Sequence, residues 1–253
     1  MGSLFFARRR IDALSALCYT GGTVFVHMPE RAGGASPVRA RSFEEERTME
    51  HRYTYRLETP ADWAAAEALT REAFWNVYKP GCDEHYILHI MRGKPAVAQE
   101  LNYVCTEGAA VRGHIFYTHT AVVTDQGDAL PVLSFGPISV DPARQGQGIG
   151  SHLIRMTLRQ AAEAGHAGVV ITGNPAYYSR FGFRPASDFG IVDQDGASYP
   201  ELMALELGPQ RLAGLRGRHH FCPEFSDIDP VALERFDKAF PPKERLRLPG
   251  QLF

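Results

Sequence analysis

Residues 145–150 read "QGQGIG", with glycine at every second position where an apolar run, "LSFGPISVD", gives way to the helix-like "SHLIRMTLRQAAEAG". Each glycine costs about 0.5–1 kcal/mol against alanine inside regular structure, so three so close together need a reason. A helix N-terminus supplies one. Its first amide N–H groups have no intrahelical partner and carry the positive end of the helix dipole, and glycines in the loop feeding it remove the Cβ atoms that would hold an anion away. Gly146, Gly148 and Gly150 therefore predict an anion cradle; the plainer alternative is a glycine turn that only lets a helix pack close to a strand.

Two common phosphate loops fail on the residues. A P-loop places Lys and then Ser or Thr after its last glycine, whereas Ser151 and His152 follow Gly150. The dinucleotide fingerprint is G-x-G-x-x-G in the first strand-to-helix turn of its unit; here the spacing is G-x-G-x-G and comes late in the chain.

The flanking sequence supplies an α/β context. "YTYRLET" reads as a strand, and Thr59, Pro60 and Asp62 as the start of a helix carrying Ala66, Leu69, Ala73 and Val77 at helical spacing. "DEHYILHIMRG" reads as a shorter helix ending at Gly93. The period then changes to two: "ELNYVCTEGAAVRGHIFYTHTAVVTD" predicts an antiparallel hairpin turning at Glu107 and Gly108. Gly136 and Pro137 place a bulge in the next strand, because proline cannot donate to a ladder. Beyond the loop, Leu153, Ile154, Leu158, Ala161 and Ala162 form one helical stripe, "AGVVITG" a buried strand, and Asn174 with Pro175 the start of a brief helix ended by Gly182. Strand, helix and strand in that order imply a crossover and a parallel pair. "YPELMALELGP" is a further strand, and Asp229 with Pro230 opens a last helix that Pro241 stops.

Residues 1–50 are Gly-, Ser-, Pro- and charge-rich and read as a disordered extension, with Met49 a candidate start; residues 51–208 read as the folded domain, and 209–253 as an extension packing on it or on a partner, where it would serve as a cover or a homodimer contact. The 27 Lys+Arg and 29 Asp+Glu leave no overall basic field, which argues against nucleic acid or an anionic membrane as partner. No apolar run reaches the roughly 20 residues of a membrane helix. Cys18, Cys82, Cys105 and Cys222 lie too far apart for a zinc pair or a disulfide scaffold, and "HHFC" at 219–222 has no second cluster, so a cytoplasmic protein without a metal is expected.

Taken together, Gln145-Gly146-Gln147-Gly148-Ile149-Gly150 and, downstream, Asn174 with the Tyr-x-x-x-Gly-Phe of Tyr178, Gly182 and Phe183 resemble the coenzyme A loop and following helix of the GNAT N-acetyltransferases, over about residues 52–208. The resemblance implies a mixed, mostly antiparallel central sheet with a parallel strand pair at the acetyl-CoA site and flanking helices. It further implies acetyl-CoA as cosubstrate, transferring its acetyl group to a primary amine of a small molecule or protein. By the same resemblance backbone groups near Ile138 and Val140 hold the acetyl carbonyl and pantetheine arm, backbone N–H groups from Gln147 to Ser151 (Gln147, Gly148, Ile149, Gly150, Ser151) take the pyrophosphate, Ser139, Gln145, Gly146 and Asn174 belong to the cofactor site, and Tyr178 is the general acid, with Tyr177 its competitor about 100° away around the helix. Arg144 and Arg155 are weaker phosphate candidates. No general base is assigned: His114 and His119 have suitable chemistry but read as structural, and Glu84 and His85 read as a solvated helix start, with lining of the acceptor pocket as the alternative. A noncatalytic acyl-CoA-binding module and transfer of a longer acyl group are the alternatives.

Overall fold

The computed structural model describes residues 52–251, so the reading of residues 1–50 lies outside the described residues. The short strand β1 (Thr54–Leu57) leads to a capping box in which the Thr59 N–H and hydroxyl both donate to Asp62 Oδ2, at 2.9 and 2.7 Å. Helix α1 (Trp63–Phe74) follows, and Val77 falls beyond its end: the chain leaves the helix at Trp75 and turns through Asn76, whose φ is +60°. Helix α2 is Glu84–Met91. The hairpin is β2 (Tyr103–Glu107) and β3 (Ala110–Thr124), beside β4 (Ala129–Val140). After the loop come α3 (Ile149–Glu163), β5 (Gly168–Thr172), α4 (Pro175–Tyr178), β6 (Arg184–Pro185), β7 (Ile191–Asp193) and β8 (Leu202–Glu206). Strand β9 (Gly217–His220) and helix α5 (Pro230–Asp237) complete the order.

The sheet runs β1-β2-β3-β4-β5-β8-β6, with β9 pairing β3 and β7 off that path. Its pairs are antiparallel except β4 with β5 and the short β7 with β9, so the mixed, mostly antiparallel sheet is as the sequence implied. Two features of β4 shape the site. Between Ile115↔Ile138 and Tyr117↔Phe135, β3 advances two residues while β4 advances three, which puts the extra residue at Gly136 and Pro137. On its other edge β4 meets β5 at the single registered pair Leu133↔Val169, and β5 then runs with β8. The two central strands therefore part beyond Leu133, leaving a wedge along residues 134–140.

Helices cover both faces because successive side chains of β3 alternate. Ile115 and Tyr117 join the cluster that buries Ile149, Leu153, Ile154, Leu158 and Ala161 of α3, each large side chain contributing about 1.5–3 kcal/mol. Phe116 points the other way, against Ile87, Leu88 and Met91 of α2. The segment after residue 208 is built into this body: β9 extends the sheet, Phe236 of α5 stacks 4.3 Å from His89, and the Glu244 carbonyl accepts from Trp75 Nε1 at 2.8 Å. Among the described residues no helix is long and apolar enough to cross a membrane.

Candidate active site

Three pieces of backbone meet at the mouth of the wedge: the end of β4, the glycine loop and α4. Asp141 starts the loop by accepting from Ala143 N–H at 2.9 Å. Gly146 and Gly148 then take φ values of +76° and +88°, in the left-handed region, and Gly148 is the N-cap of α3. L-residues enter that region at a cost of about 1–2 kcal/mol, which explains these two glycines. His152 N–H closes the first turn on Gly148 O at 2.9 Å, leaving the amides just before it with no partner inside the helix. A Cβ on Gly146 would meet no atom within 4 Å, so the loop lies under open space. Exposed helix amides, a positive dipole end and room above them fit a diphosphate.

Side chains of the loop are mostly engaged with the protein. Gln147 Oε1 accepts from the Tyr53 hydroxyl at 2.9 Å, and Gln145 Nε2 reaches Val140 O only at 3.5 Å. Arg144 Nη2 donates to Glu107 at 3.0 Å, and Arg52 with Arg144 holds that carboxyl down to about 2. Arg155 lies 5.1 Å from the Phe181 ring centroid. Ile138, Ser139 and Val140 are buried in β4, the Ser139 hydroxyl bonded to Thr70 of α1 at 2.8 Å, so what this strand offers the wedge is backbone.

On α4, Asn174 Oδ1 accepts from Ala176 N–H at 2.9 Å and Pro175 fills the first helical position. Tyr178 is fully buried, its ring flat against Gly173: a Cβ there would stand 2.6 Å from Tyr178 Cε2. Phe135 at 6.0 Å, Phe183 at 5.8 Å and Tyr177 at 5.0 Å surround the ring. Burial first, and then the neighbouring tyrosines, push its phenol well above the ordinary value, which keeps it protonated. Tyr177 points elsewhere, with its hydroxyl beside Ser151 in the first turn of α3.

The opposite wall comes from α1, α2 and the segment between them. Glu84 is buried, which overturns its reading as part of a solvated helix start. Its Oε2 accepts from Asp83 N–H at 3.1 Å, while Lys79 pairs with Asp83 instead. Burial, then the charge of Asp83, raises the Glu84 carboxyl to about 8. The Tyr78 phenol lies within electrostatic reach of both Glu84 and Tyr178. The sequence held a signal for this: Glu84 stands at helical spacing with Ile87, Leu88 and Met91, on the buried face of α2. His85 is also buried, and burial lowers it to about 4, so it is neutral. His114 is buried 3.2 Å from Glu58, and the half-exposed His119 pairs with Glu100 at 3.4 Å. His219 bonds Thr120 at 3.0 Å, and no cluster among the described residues could hold a metal ion.

The same stretch of chain is shared with known proteins. The sequence profile of the Acetyltransferase (GNAT) domain matches residues 54–186. The uncharacterised N-acetyltransferase YhbS of Escherichia coli (strain K12) is 32% identical over 171 residues, 68% of this chain and 97% of the relative. Its crystal structure in complex with CoA superimposes with a TM-score of 0.62 at 27% identity, covering 70% of this chain and 94% of that one. A GNAT family acetyltransferase from Brucella melitensis in complex with acetyl-CoA gives 0.57 at 31% identity, over 69% and 99%.

Proposed function

Because the chain belongs to the GNAT N-acetyltransferase family, we propose that it binds acetyl-CoA across the glycine loop and transfers the acetyl group directly to a primary amine of a small molecule or a protein. The observation that carries this reading is the left-handed Gly148 N-cap of α3 standing beside the point where β4 and β5 part. The loop amides would hold the diphosphate, and the freed backbone edge at Ile138 and Val140 would align the pantetheine arm and the acetyl carbonyl.

At neutral pH an alkylamine, with a pKa of about 10.4, arrives as an ammonium with no free lone pair. Glu84, buried without a cation partner within 4 Å among the described residues, takes that proton. The amine nitrogen then attacks the thioester carbon, the C–N bond forms and the C–S bond breaks. Tyr178 gives its proton to the departing sulfur and recovers one from the new amide nitrogen, while Glu84 returns its own to solvent. The net change is ammonium plus acetyl-CoA to amide, CoA thiol and one proton.

Tyr178→Phe is expected to lower kcat by about 10²–10⁴-fold while CoA affinity stays within about twofold, read by CoA release against calorimetry. Full turnover would remove Tyr178 from the role, and CoA binding with no turnover on any amine would leave a noncatalytic acyl-CoA module. Glu84→Gln is expected to cost at least about a hundredfold in kcat and to remove the limb of the pH profile that rises through about 8 as Glu84 deprotonates. The stability linkage has a definite sign. The folded carboxyl, raised above its unfolded value of about 4.3, binds a proton that the unfolded chain has lost, so its contribution falls as pH rises from that value through about 8. The Gln variant should therefore gain in melting temperature relative to the wild type between pH 5 and pH 9.

A further inference from the structure

The loop between α1 and α2 is closed at its base by Asn76. This residue turns the chain out of α1 with a φ of +60°; its N–H donates to Gly81 O at 2.9 Å and its Oδ1 accepts from Gly81 N–H at 2.8 Å. Val77, Tyr78, Lys79 and Pro80 lie between those two bonds. Because Tyr78 is within electrostatic reach of Glu84 and of Tyr178, the loop borders on both groups that the proposed transfer uses. It belongs to the acceptor side of the site.

Asn76 also holds a distant stretch of chain. Its Nδ2 donates to Glu244 O at 2.9 Å, its Oδ1 accepts a second bond from Leu246 N–H at 3.1 Å, and its carbonyl accepts from Gln251 Nε2 at 2.8 Å. Gln251 folds back on the same stretch, donating from Nε2 to Leu246 O at 3.1 Å and accepting at Oε1 from Leu248 N–H at 2.9 Å. Residues 244–248 are exposed and belong to no helix or strand, so neither core contacts nor a ladder fix them. What fixes them is the base of the loop. The fit is close as well, since a Cβ on Gly81 would stand 3.2 Å from Arg245 Nε.

We propose that Asn76 is a positioning residue for the acceptor amine: it clasps the loop 76–81 to residues 244–251, so that a segment outside the GNAT-matched residues 54–186 sets how firmly the acceptor wall is held. This rests on the acetyl-transfer reading above. With the clasp released, only a fraction of the molecules hold the loop in place, and the amine must select them. The apparent KM then rises by the inverse of that fraction, while kcat, a property of the loaded complex, is kept. The glycine loop stands on the other wall, so CoA affinity is kept too.

Two variants of the full chain break the clasp from opposite sides. Gln251→Glu removes the amide donor to Asn76 O and alters no residue of the loop. Asn76→Asp keeps an oxygen for Gly81 N–H but loses the donor to Glu244 O; should it fail to fold, Gln251→Glu carries the test alone. Turnover is read as CoA thiol release on propylamine, phenethylamine and alanine amide, CoA binding by calorimetry, and loop order by amide hydrogen exchange. Each variant should raise the KM for the amine about two- to tenfold, as for one lost neutral hydrogen bond, with kcat and the Kd for CoA within about twofold of wild type. Exchange should quicken over residues 76–83 and not over 145–152, and the double variant should cost less than the product of the two because either break frees the same segment. An unchanged KM, or a rise matched by an equal loss of CoA affinity, overturns the assignment. So does unchanged exchange over the loop, or a double variant that costs the full product. A wild-type chain that binds no CoA, or binds it and releases no thiol on any of the three amines, would instead reject the acetyl-transfer reading, and this inference with it.

Discussion

A Gly148→Glu variant is expected to fold and to lose measurable CoA binding. Two effects act together. At a φ of +88° any L-residue carries a backbone cost of about 1–2 kcal/mol, and relief of that strain would move the N-cap and re-aim the amides of the first turn of α3. The second effect is electrostatic. A carboxylate at this position is drawn to the same amides and dipole end that the diphosphate would use, a gain of about 0.3–1 kcal/mol for the helix that offsets part of the strain. The fold is thereby spared while the site is filled by its own side chain, which also repels an incoming dianion. Calorimetric titration of CoA, with circular dichroism as the fold control, should show at least a hundredfold loss. Gly148→Ala, which carries the strain without the charge, should fall in between. Binding unchanged in a folded Glu variant would mean that the diphosphate lies elsewhere.

What could be read in advance divides along the range of the interactions. The loop was legible because a left-handed backbone leaves a local mark: few residues but glycine stand at Gly146 and Gly148. Caps are equally local, and Thr59, Asn174 and Asp229 each start the element that their side-chain chemistry predicts. The pairings that sequence reading missed reach across the chain. Strand β9 is four residues long and reads "GRHH"; it is a strand because β3 and β7 supply its partners from 26 to 99 residues away, as in Ile191↔Gly217, Val192↔Arg218 and Ala121↔His220. Val77 kept the helical spacing of α1 but lost the helix, because Asn76 turns and accepts from Gly81 N–H at 2.8 Å. Glu84 failed for another reason: its charge was weighed above its position on the apolar face.

Removing the Asp237 carboxylate should unsettle the wall that carries Glu84. Arg71 of α1 is buried, with 2% of its side chain exposed, and is matched in two places by Asp237 of α5: Nε to Oδ1 at 2.7 Å and Nη2 to Oδ2 at 3.2 Å. His85 Nε2 shares Oδ1 at 3.2 Å. Asp237→Ala would leave a buried guanidinium without its anion, a loss of about 3–5 kcal/mol for such pairs. The lower end is expected, because the faces of Trp75 at 4.2 Å and Phe240 at 5.3 Å still hold the cation. For a domain of this size about 3 kcal/mol lowers the melting temperature by roughly 6–12 °C. Against the cost of burial, Arg71 holds the folded carboxyl below its unfolded value of about 3.9. The contribution is therefore complete above that value and lost as pH falls through the folded one, so the gap between wild type and variant should be level from pH 5 to 8 and close in acid. A gap of a degree or two at pH 7 would show the pair to be no stronger than a surface bridge. The functional sign follows from what α1 and α2 carry. Thr70, which anchors α1 to Ser139 of β4, and Glu84 both stand on the wall that Arg71 ties to the tail, whereas the glycine loop does not. Loosening that tie should raise the KM for the amine several-fold and leave CoA affinity unchanged, a split that general unfolding would not produce.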